Sequence, residues 1–252
     1  MSATAAAPRA ASTGGSLLVV DDLHVHLGES HILHGVGFEV ARGGVTALLG
    51  RNGVGKTTTL KGILGLVDRT GTVIFDGTDL TTLPTHEIVR RGLAYVPEDR
   101  EVFAGLTVAE NLRLAEQPGH DPRYDLVYEL FPRLRERRGQ YAGTMSGGEQ
   151  QMLSLGRVLL NDSSLLLIDE PTKGLAPNLV AEVADALARL AELATVLVVE
   201  QNLPVVRRMA DTAVVVDQGQ VVHTGDARAL LDDPALTRQL LGVAGATGGD
   251  HR

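Results

Sequence analysis

Short, largely apolar runs alternate with helix-like spacings along most of the chain. Val45–Leu49, residues 165–168 and Thr195–Val199 are runs of strand length with few polar residues. Such runs are typical of strands that are covered on both faces. Residues 213–216 form a further run, and Gly219 predicts a tight turn before Val221 and Val222.

Between these runs, apolar residues recur at three- and four-residue spacings that predict helices. The three helical patterns are Leu60, Ile63, Leu64 and Val67; Met152, Leu155, Val158 and Leu159; and Val180, Val183, Leu187 and Leu190. Strands that alternate with helices indicate the α/β class, with a parallel sheet connected by crossover helices.

Two regions depart from this alternation. Residues 17–44 contain the pattern of short strands and turns, which predicts an antiparallel β-subdomain. Residues 100–144 show helical spacing with weak strand signals, so we expect a helical subdomain at about 98–155, inserted into the core. We therefore predict one domain over residues 17–242, preceded by a disordered arm (1–16) and followed by a flexible, Gly-rich tail (243–252).

Composition excludes several kinds of chemistry. The 252 residues include no Cys, which rules out disulfides, thiolate metal sites and Cys nucleophiles. The net charge of -8 argues against a general nucleic-acid binder, because such proteins usually carry a basic stripe. The apolar runs are much shorter than the roughly 20 residues that a membrane-spanning helix needs.

The residues between the first apolar run and the first helical pattern fit the pattern G-x-x-x-x-G-K-[ST]. They read Gly50-Arg51-Asn52-Gly53-Val54-Gly55-Lys56-Thr57. Glycines let backbone N–H groups face phosphate oxygens, and the start of the following helix adds its positive dipole end. An incidental Lys in a Gly-rich turn is the alternative, but the strand before and the helix after favour a nucleoside triphosphate site. The candidate binding residues are Gly50, Asn52, Gly53, Gly55, Lys56, Thr57 and Thr58.

Two acids follow the apolar run at residues 165–168. Asp169 is placed to support Mg²⁺ together with Thr57, and Glu170 is placed to accept a proton from an attacking water. The alternative is an acidic turn that merely ends a strand, and the phosphate loop elsewhere in the chain makes it the weaker interpretation.

Ser146-Gly147-Gly148-Glu149-Gln150 precedes the second helical pattern. A Ser hydroxyl and free backbone N–H groups at a helix start can bind an anion. A simple helix cap with flexible glycines explains the same residues, and chemistry alone does not choose between the two.

Taken in chain order, residues 50–57, 146–150 and 169–170 resemble the Walker A, signature and Walker B motifs of the ABC ATPase family. The resemblance extends over about residues 17–242. The resemblance implies a P-loop NTPase cassette fold that uses ATP and Mg²⁺, with Lys56 and Glu170 as catalytic residues. It also implies a dimer in which Ser146 and Gly148 contact the ATP bound to the partner. Transmembrane permease subunits would then be driven from the cytoplasmic face of the membrane.

Several further segments are similar to the ATP-binding subunits of branched-chain amino acid importers. They are Tyr95-Val96-Pro97-Glu98, residues 107–112, 128–134, 143–152 and 174–177, and Val199-Glu200-Gln201-Asn202. This implies import of branched-chain or other hydrophobic amino acids, a second ATPase subunit that is a paralogue in preference to another copy, and an external solute-binding protein. Urea or amide import, lipid or drug export, and a soluble ABC function remain alternatives.

Four positions depart from the general family pattern. Glu98 stands where a Gln usually contacts Mg²⁺, and Gln201 replaces the switch His. Both substitutions recur in the branched-chain subfamily. Gln201 can bind a γ-phosphate but cannot titrate near neutral pH, so we expect no His-type step in the pH profile from this position. Ala176 replaces an Asp, and Leu27 stands where an aromatic residue usually stacks on adenine.

Overall fold

The computed structural model describes residues 15–242. The predicted tail (243–252) and all but the last two residues of the predicted arm (1–16) lie outside the described residues. The strands are β1 Ser16–Leu27, β2 Ser30–Ala41, β3 Val45–Leu49, β4 Arg69–Phe75, β5 Thr78–Asp79, β6 Leu93–Val96, β7 Leu165–Asp169, β8 Thr195–Val199, β9 Thr212–Asp217 and β10 Gln220–Asp226. The helices are α1 Lys56–Ile63, α2 Thr85–Arg90, α3 Val108–Arg113, α4 Tyr124–Leu130, α5 Pro132–Glu136, α6 Gly147–Leu159, α7 Pro177–Leu190, α8 Leu203–Met209, α9 Ala227–Asp232 and α10 Pro234–Leu241.

A six-stranded sheet with the order β10-β9-β3-β8-β7-β6 forms the core. Strands β9, β3, β8, β7 and β6 run parallel, and β10 pairs antiparallel with β9. Every residue of β3, β7 and β8 is buried, which explains why these strands read as continuous apolar runs. The parallel core predicted from the sequence is confirmed.

The antiparallel subdomain is larger than the sequence suggested. Its order is β2-β1-β4-β5, so the chain returns to it after α1. The prediction of short strands between residues 17 and 44 was wrong, because β1 and β2 are each 12 residues long. They pair with each other through several register irregularities, which interrupt the apolar alternation that would reveal a long strand.

The first helix ends earlier than the periodic pattern predicted. Val67 was expected on it, but α1 stops at Ile63 and Gly65 adopts a positive φ of 67°. The guanidinium of Arg69 donates to the carbonyls of Gly62 and Ile63, which are among the last carbonyls of α1. Arg69 therefore satisfies backbone acceptors that the helix end leaves free.

Two layers cover the core sheet. Leu48 points to one face, where α1 and the antiparallel sheet pack. Ala47 and Leu49 point to the other face, where α6, α7 and α8 pack. Helices α3 to α6 all lie between β6 and β7 in the chain. None of the helices within residues 15–242 has the length and apolarity that a bilayer crossing requires.

Candidate functional site

The glycine loop joins β3 to α1, and two of its glycines have no room for a side chain. Gly50 has a φ of 147°, and a Cβ there would lie 2.3 Å from the carbonyl oxygen of Val216. Gly55 has a φ of 108°, and a Cβ would lie 2.6 Å from Leu33 Cδ2. Gly53 also has a positive φ, of 80°, but open space surrounds it. The loop is thus closely packed on one side and accessible at Gly53.

The ammonium group of Lys56 lies inside this loop. It donates to the carbonyls of Gly50 at 3.0 Å and Arg51 at 2.8 Å, and it lies 3.8 Å from Oε1 of Glu170. Desolvation lowers the pKa of Lys56, although the carboxylate of Glu170 acts in the opposite direction. The structure therefore places a buried cation between the glycine loop and the acids that follow β7.

Thr57 and Asp169 meet where α1 begins and β7 ends. The Thr57 hydroxyl donates to Oδ1 of Asp169 at 3.1 Å, and the phenol of Tyr95 lies 3.4 Å from Oδ2. Asp169 is fully buried, and this burial raises the pKa of its carboxyl group. A hydroxyl and a carboxylate side by side are the oxygen donors that Mg²⁺ prefers, so this pair fits that ion.

Glu170 follows Asp169 and contacts Val199, Gln201 and Lys173. Its φ of 43° is unusual for a residue with a side chain, and its N–H donates to the carbonyl of Val199 at 3.0 Å. The amide of Gln201 donates to Oε1, and the ammonium of Lys173 lies 3.3 Å from Oε2. The structure thus brings Lys56, Glu170 and Gln201 together, as expected for parallel strands whose carboxyl ends share one sheet edge.

Glu98, the third predicted metal contact, is held by a different partner. Its Oε1 accepts from the ammonium of Lys173, at the rim of the site. A metal ion there would compete with Lys173 for this carboxylate.

Ser146 and Gly148 lie at the start of α6. Ser146 forms a capping box with Glu149, in which each residue's side chain bonds the other's backbone N–H. A Cβ at Gly148 would lie 2.6 Å from Leu179 Cδ1, so packing on α7 explains that glycine within this chain. In residues 15–242, no hydrogen bond or ion pair joins Ser146 to the chain's own glycine loop.

Leu27 ends β1, and 46% of its surface is exposed. The nearby rings of His26 and His31 stack, with centroids 4.0 Å apart, and the ring of His34 lies tilted against His31 at the same centroid distance. Within the part of the chain that the structure describes, no group of three potential ligands suits a metal ion.

Two residues close to the site were missed in the sequence. Lys173 joins Glu98 to Glu170, and nothing in its local sequence signals this. Glu200 is buried, and the Thr172 hydroxyl donates to it. Burial raises the pKa of Glu200 from 4.5 to about 7. Glu200 directly follows the apolar strand β8, as Glu170 follows β7, and this shared signal could have identified it.

Comparisons with known proteins agree with this geometry. The ABC transporter family model matches residues 33–173. The high-affinity branched-chain amino acid transport ATP-binding protein BraG of Pseudomonas aeruginosa is 40% identical over 232 residues, which is 90% of this chain and 100% of BraG. The probable branched-chain amino acid transport ATP-binding protein LivF of Archaeoglobus fulgidus is 36% identical, over 85% of this chain and 94% of LivF.

A solved structure has the same fold. The ADP conformation of an ATP-binding cassette of an ABC transporter superposes with a TM-score of 0.74 at 26% identity, over 89% of this chain and 98% of that one. The chain belongs to the ABC transporter family, as a nucleotide-binding ATPase that hydrolyses ATP.

Proposed function

We propose that this chain is the ATP-hydrolysing subunit of an importer for branched-chain or other hydrophobic amino acids. One observation carries the choice of solute: BraG and LivF, both named for branched-chain amino acid transport, match 90% and 85% of the chain. Glu98 and Gln201, which depart from the general family pattern, agree with this branch.

The glycine loop would hold the phosphates of ATP. Backbone N–H groups around Gly53 and Gly55 and the start of α1 would bind phosphate oxygens, with Asn52 and Thr58 beside them. The Lys56 ammonium, now on loop carbonyls, would turn to the β- and γ-phosphates. Its low exposure keeps this charge in a desolvated setting, where it acts strongly on a phosphate.

Thr57 and Asp169 would hold Mg²⁺, and Glu98 would be the third protein ligand if released from Lys173. A bound Mg²⁺ would neutralise charge on the β- and γ-phosphates. The 3.1 Å contact between the Thr57 hydroxyl and Asp169 supports this assignment, because it places two oxygen donors next to the loop.

Glu170 would act as the general base. Its carboxylate would take a proton from the water that attacks the γ-phosphorus, and the products would be ADP and phosphate. The Gln201 amide, already bonded to Glu170, would orient this carboxylate and reach the γ-phosphate.

A second ATPase subunit would complete the site. Ser146 and Gly148 make no hydrogen bond or ion pair to the described glycine loop of their own chain, which agrees with a role on a partner's nucleotide. We propose a paralogue as this partner, with a homodimer as the alternative. Leu27 would contact the base through an aliphatic surface, since it is half exposed at the end of β1.

Permease subunits would dock on the cytoplasmic face of the membrane, beside Glu98. A groove of about 550 Å³ lies there between α1, α2 and α6, and its lining includes Leu66, Val89, Tyr95, Glu98 and Arg157. A solute-binding protein outside the membrane would deliver the solute to the permease. ATP would favour the closed dimer, and hydrolysis would reopen it.

Uptake of labelled leucine and labelled urea by cells that carry Glu170→Gln tests the choice of solute. Glu129→Gln serves as the control, because Glu129 is an exposed carboxylate paired with Arg189 on the surface. The expected result is that the Glu170 variant loses leucine uptake and keeps urea uptake, whereas the Glu129 variant keeps both. Loss of urea uptake alone would assign the chain to a urea importer, and unchanged uptake of both would contradict the proposed solute class.

A further inference from the structure

The ammonium of Lys173 lies between two carboxylates from different parts of the chain. It donates to Oε1 of Glu98, which follows β6, and lies 3.3 Å from Oε2 of Glu170, which follows β7. The Lys173 side chain is 54% exposed and that of Glu170 only 8% exposed. A cation at the rim therefore holds a carboxylate inside the site.

The two oxygens of Glu170 have different partners. Oε1 faces the Gln201 amide and, at 3.8 Å, the Lys56 ammonium. Lys56 belongs to the glycine loop and is expected to turn to phosphate when ATP binds. Lys173 would remain on Oε2, where it occupies an acceptor site that a proton from water would need.

The segment that carries Glu98 is joined to Lys173 a second time. The guanidinium of Arg100 donates to the Lys173 carbonyl at 3.4 Å. Arg157 of α6 donates to the Glu101 carbonyl at 2.7 Å, which links the segment to α6. Arg100 and Glu101 both have positive φ values, of 63° and 46°, so contacts on both sides hold this backbone in a rarely populated conformation.

Glu98 also faces the groove beside α1 and α6. A movement of the 98–101 segment at this groove would draw Lys173 along, because both its side chain and its carbonyl are bonded to that segment. The contact with Glu170 would then be broken.

We propose that Lys173 is a positioning residue that ties Glu170 to Glu98 and restrains hydrolysis until the 98–101 segment moves. This inference rests on the proposed role of Glu170 as the base. Lys173 itself would contact neither ATP nor the attacking water. It acts by occupying Oε2 of Glu170.

The test compares ATP hydrolysis by the purified full chain and its variants Lys173→Met, Lys173→Arg and Glu170→Gln. Lys173→Met should raise kcat about fivefold with KM for ATP unchanged, because Oε2 becomes free to accept a proton. Lys173→Arg should keep the wild-type kcat, because a guanidinium can still bridge two carboxylates. A purely structural role would not raise kcat.

Arg208→Met is the matched control. Arg208 is an ion-paired cation with 53% side-chain exposure, and its partner is Asp185 on the surface, away from the site. It should keep the wild-type kcat. Thermal unfolding of each variant verifies that the fold is intact.

The possible results distinguish the restraint by Lys173 from the role of Glu170 as the base. If Glu170→Gln abolishes hydrolysis while Lys173→Met leaves kcat unchanged or lowers it, the inference is overturned and the role of Glu170 stands. Wild-type hydrolysis by Glu170→Gln would overturn the role of the base and, with it, the inference. Equal kcat values for the Met and Arg variants would also contradict it, because the effect would not depend on the bridge.

Discussion

The hydroxyl of Thr57 lies 3.1 Å from Oδ1 of Asp169, although 112 positions separate the two residues in the chain. Thr57 is the second residue of the helix that follows the glycine loop, and Asp169 ends a central strand. The contact joins the phosphate-binding and acidic parts of the site across the sheet edge. It exists because β3 and β7 run parallel on either side of β8, which brings their carboxyl ends to the same edge.

The first prediction concerns two glycines of the same loop. Gly50→Ala should reduce the free energy of unfolding by about 1–3 kcal/mol more than Gly53→Ala, because only the Gly50 side chain would collide with backbone. The collision is with the Val216 carbonyl at 2.3 Å, whereas Gly53 has open space. Both residues have positive φ values, of 147° and 80°, which an Ala rarely adopts, so Gly53→Ala is the control that adds backbone strain without a collision. Urea unfolding of the two variants measures the difference, and equal losses would contradict the packing argument.

The second prediction uses two capping boxes of the same type. Ser146 caps α6 and Thr107 caps α3, each with a Glu three residues later. Replacing either by Ala should reduce the free energy of unfolding by about 1 kcal/mol. Ser146→Ala should also lower the ATPase rate of the assembled dimer, because Ser146 is proposed to contact the partner's nucleotide. Equal ATPase rates in the two variants would argue against that contact.

The third prediction follows from the raised pKa of Glu200. The carboxyl titrates at 4.5 when unfolded and at about 7 when folded, so the native state binds more protons between these pH values. Stability therefore falls as pH rises from 4.5 to 7 and changes no further from this group above 7. A shift of this size corresponds to at most roughly 3 kcal/mol.

Glu200→Gln should remove this dependence, because its amide oxygen can still accept from Thr172 without a charge. The variant should be more stable than the wild type at pH 8 and gain little at pH 4.5. Urea unfolding at both pH values measures this, and the exposed Glu192→Gln controls for the loss of one negative charge. An equal gain at the two pH values would contradict the assigned pKa.

The parallel core was predictable because its strands are buried on both faces. All five residues of β7 and of β8 are buried and four of the five are apolar in each strand, which leaves little ambiguity between strand and loop. The antiparallel sheet was harder to predict. β4 and β5 follow α1 in the chain and then pair with this sheet. Their pairing depends on where the chain returns in three dimensions, which the local sequence pattern does not indicate.

The site was predictable where a pattern of residues at fixed spacing is typical of one kind of chemistry. Lys56 and Thr57 belong to a continuous loop pattern, and Asp169 and Glu170 end a buried strand. The bridge from Glu98 through Lys173 to Glu170 was not predictable, because it joins two loops that are distant in sequence. Such contacts depend on how the loops approach in three dimensions.

The most direct test of the account is the rate of ATP hydrolysis by Glu170→Gln at saturating ATP, measured beside ATP binding by the same variant. If Glu170 is the general base, the rate should fall by about 10²-fold or more while ATP still binds, because only proton acceptance is lost. A rate close to that of the wild type would show that another group accepts the proton, and the proposed mechanism would be wrong.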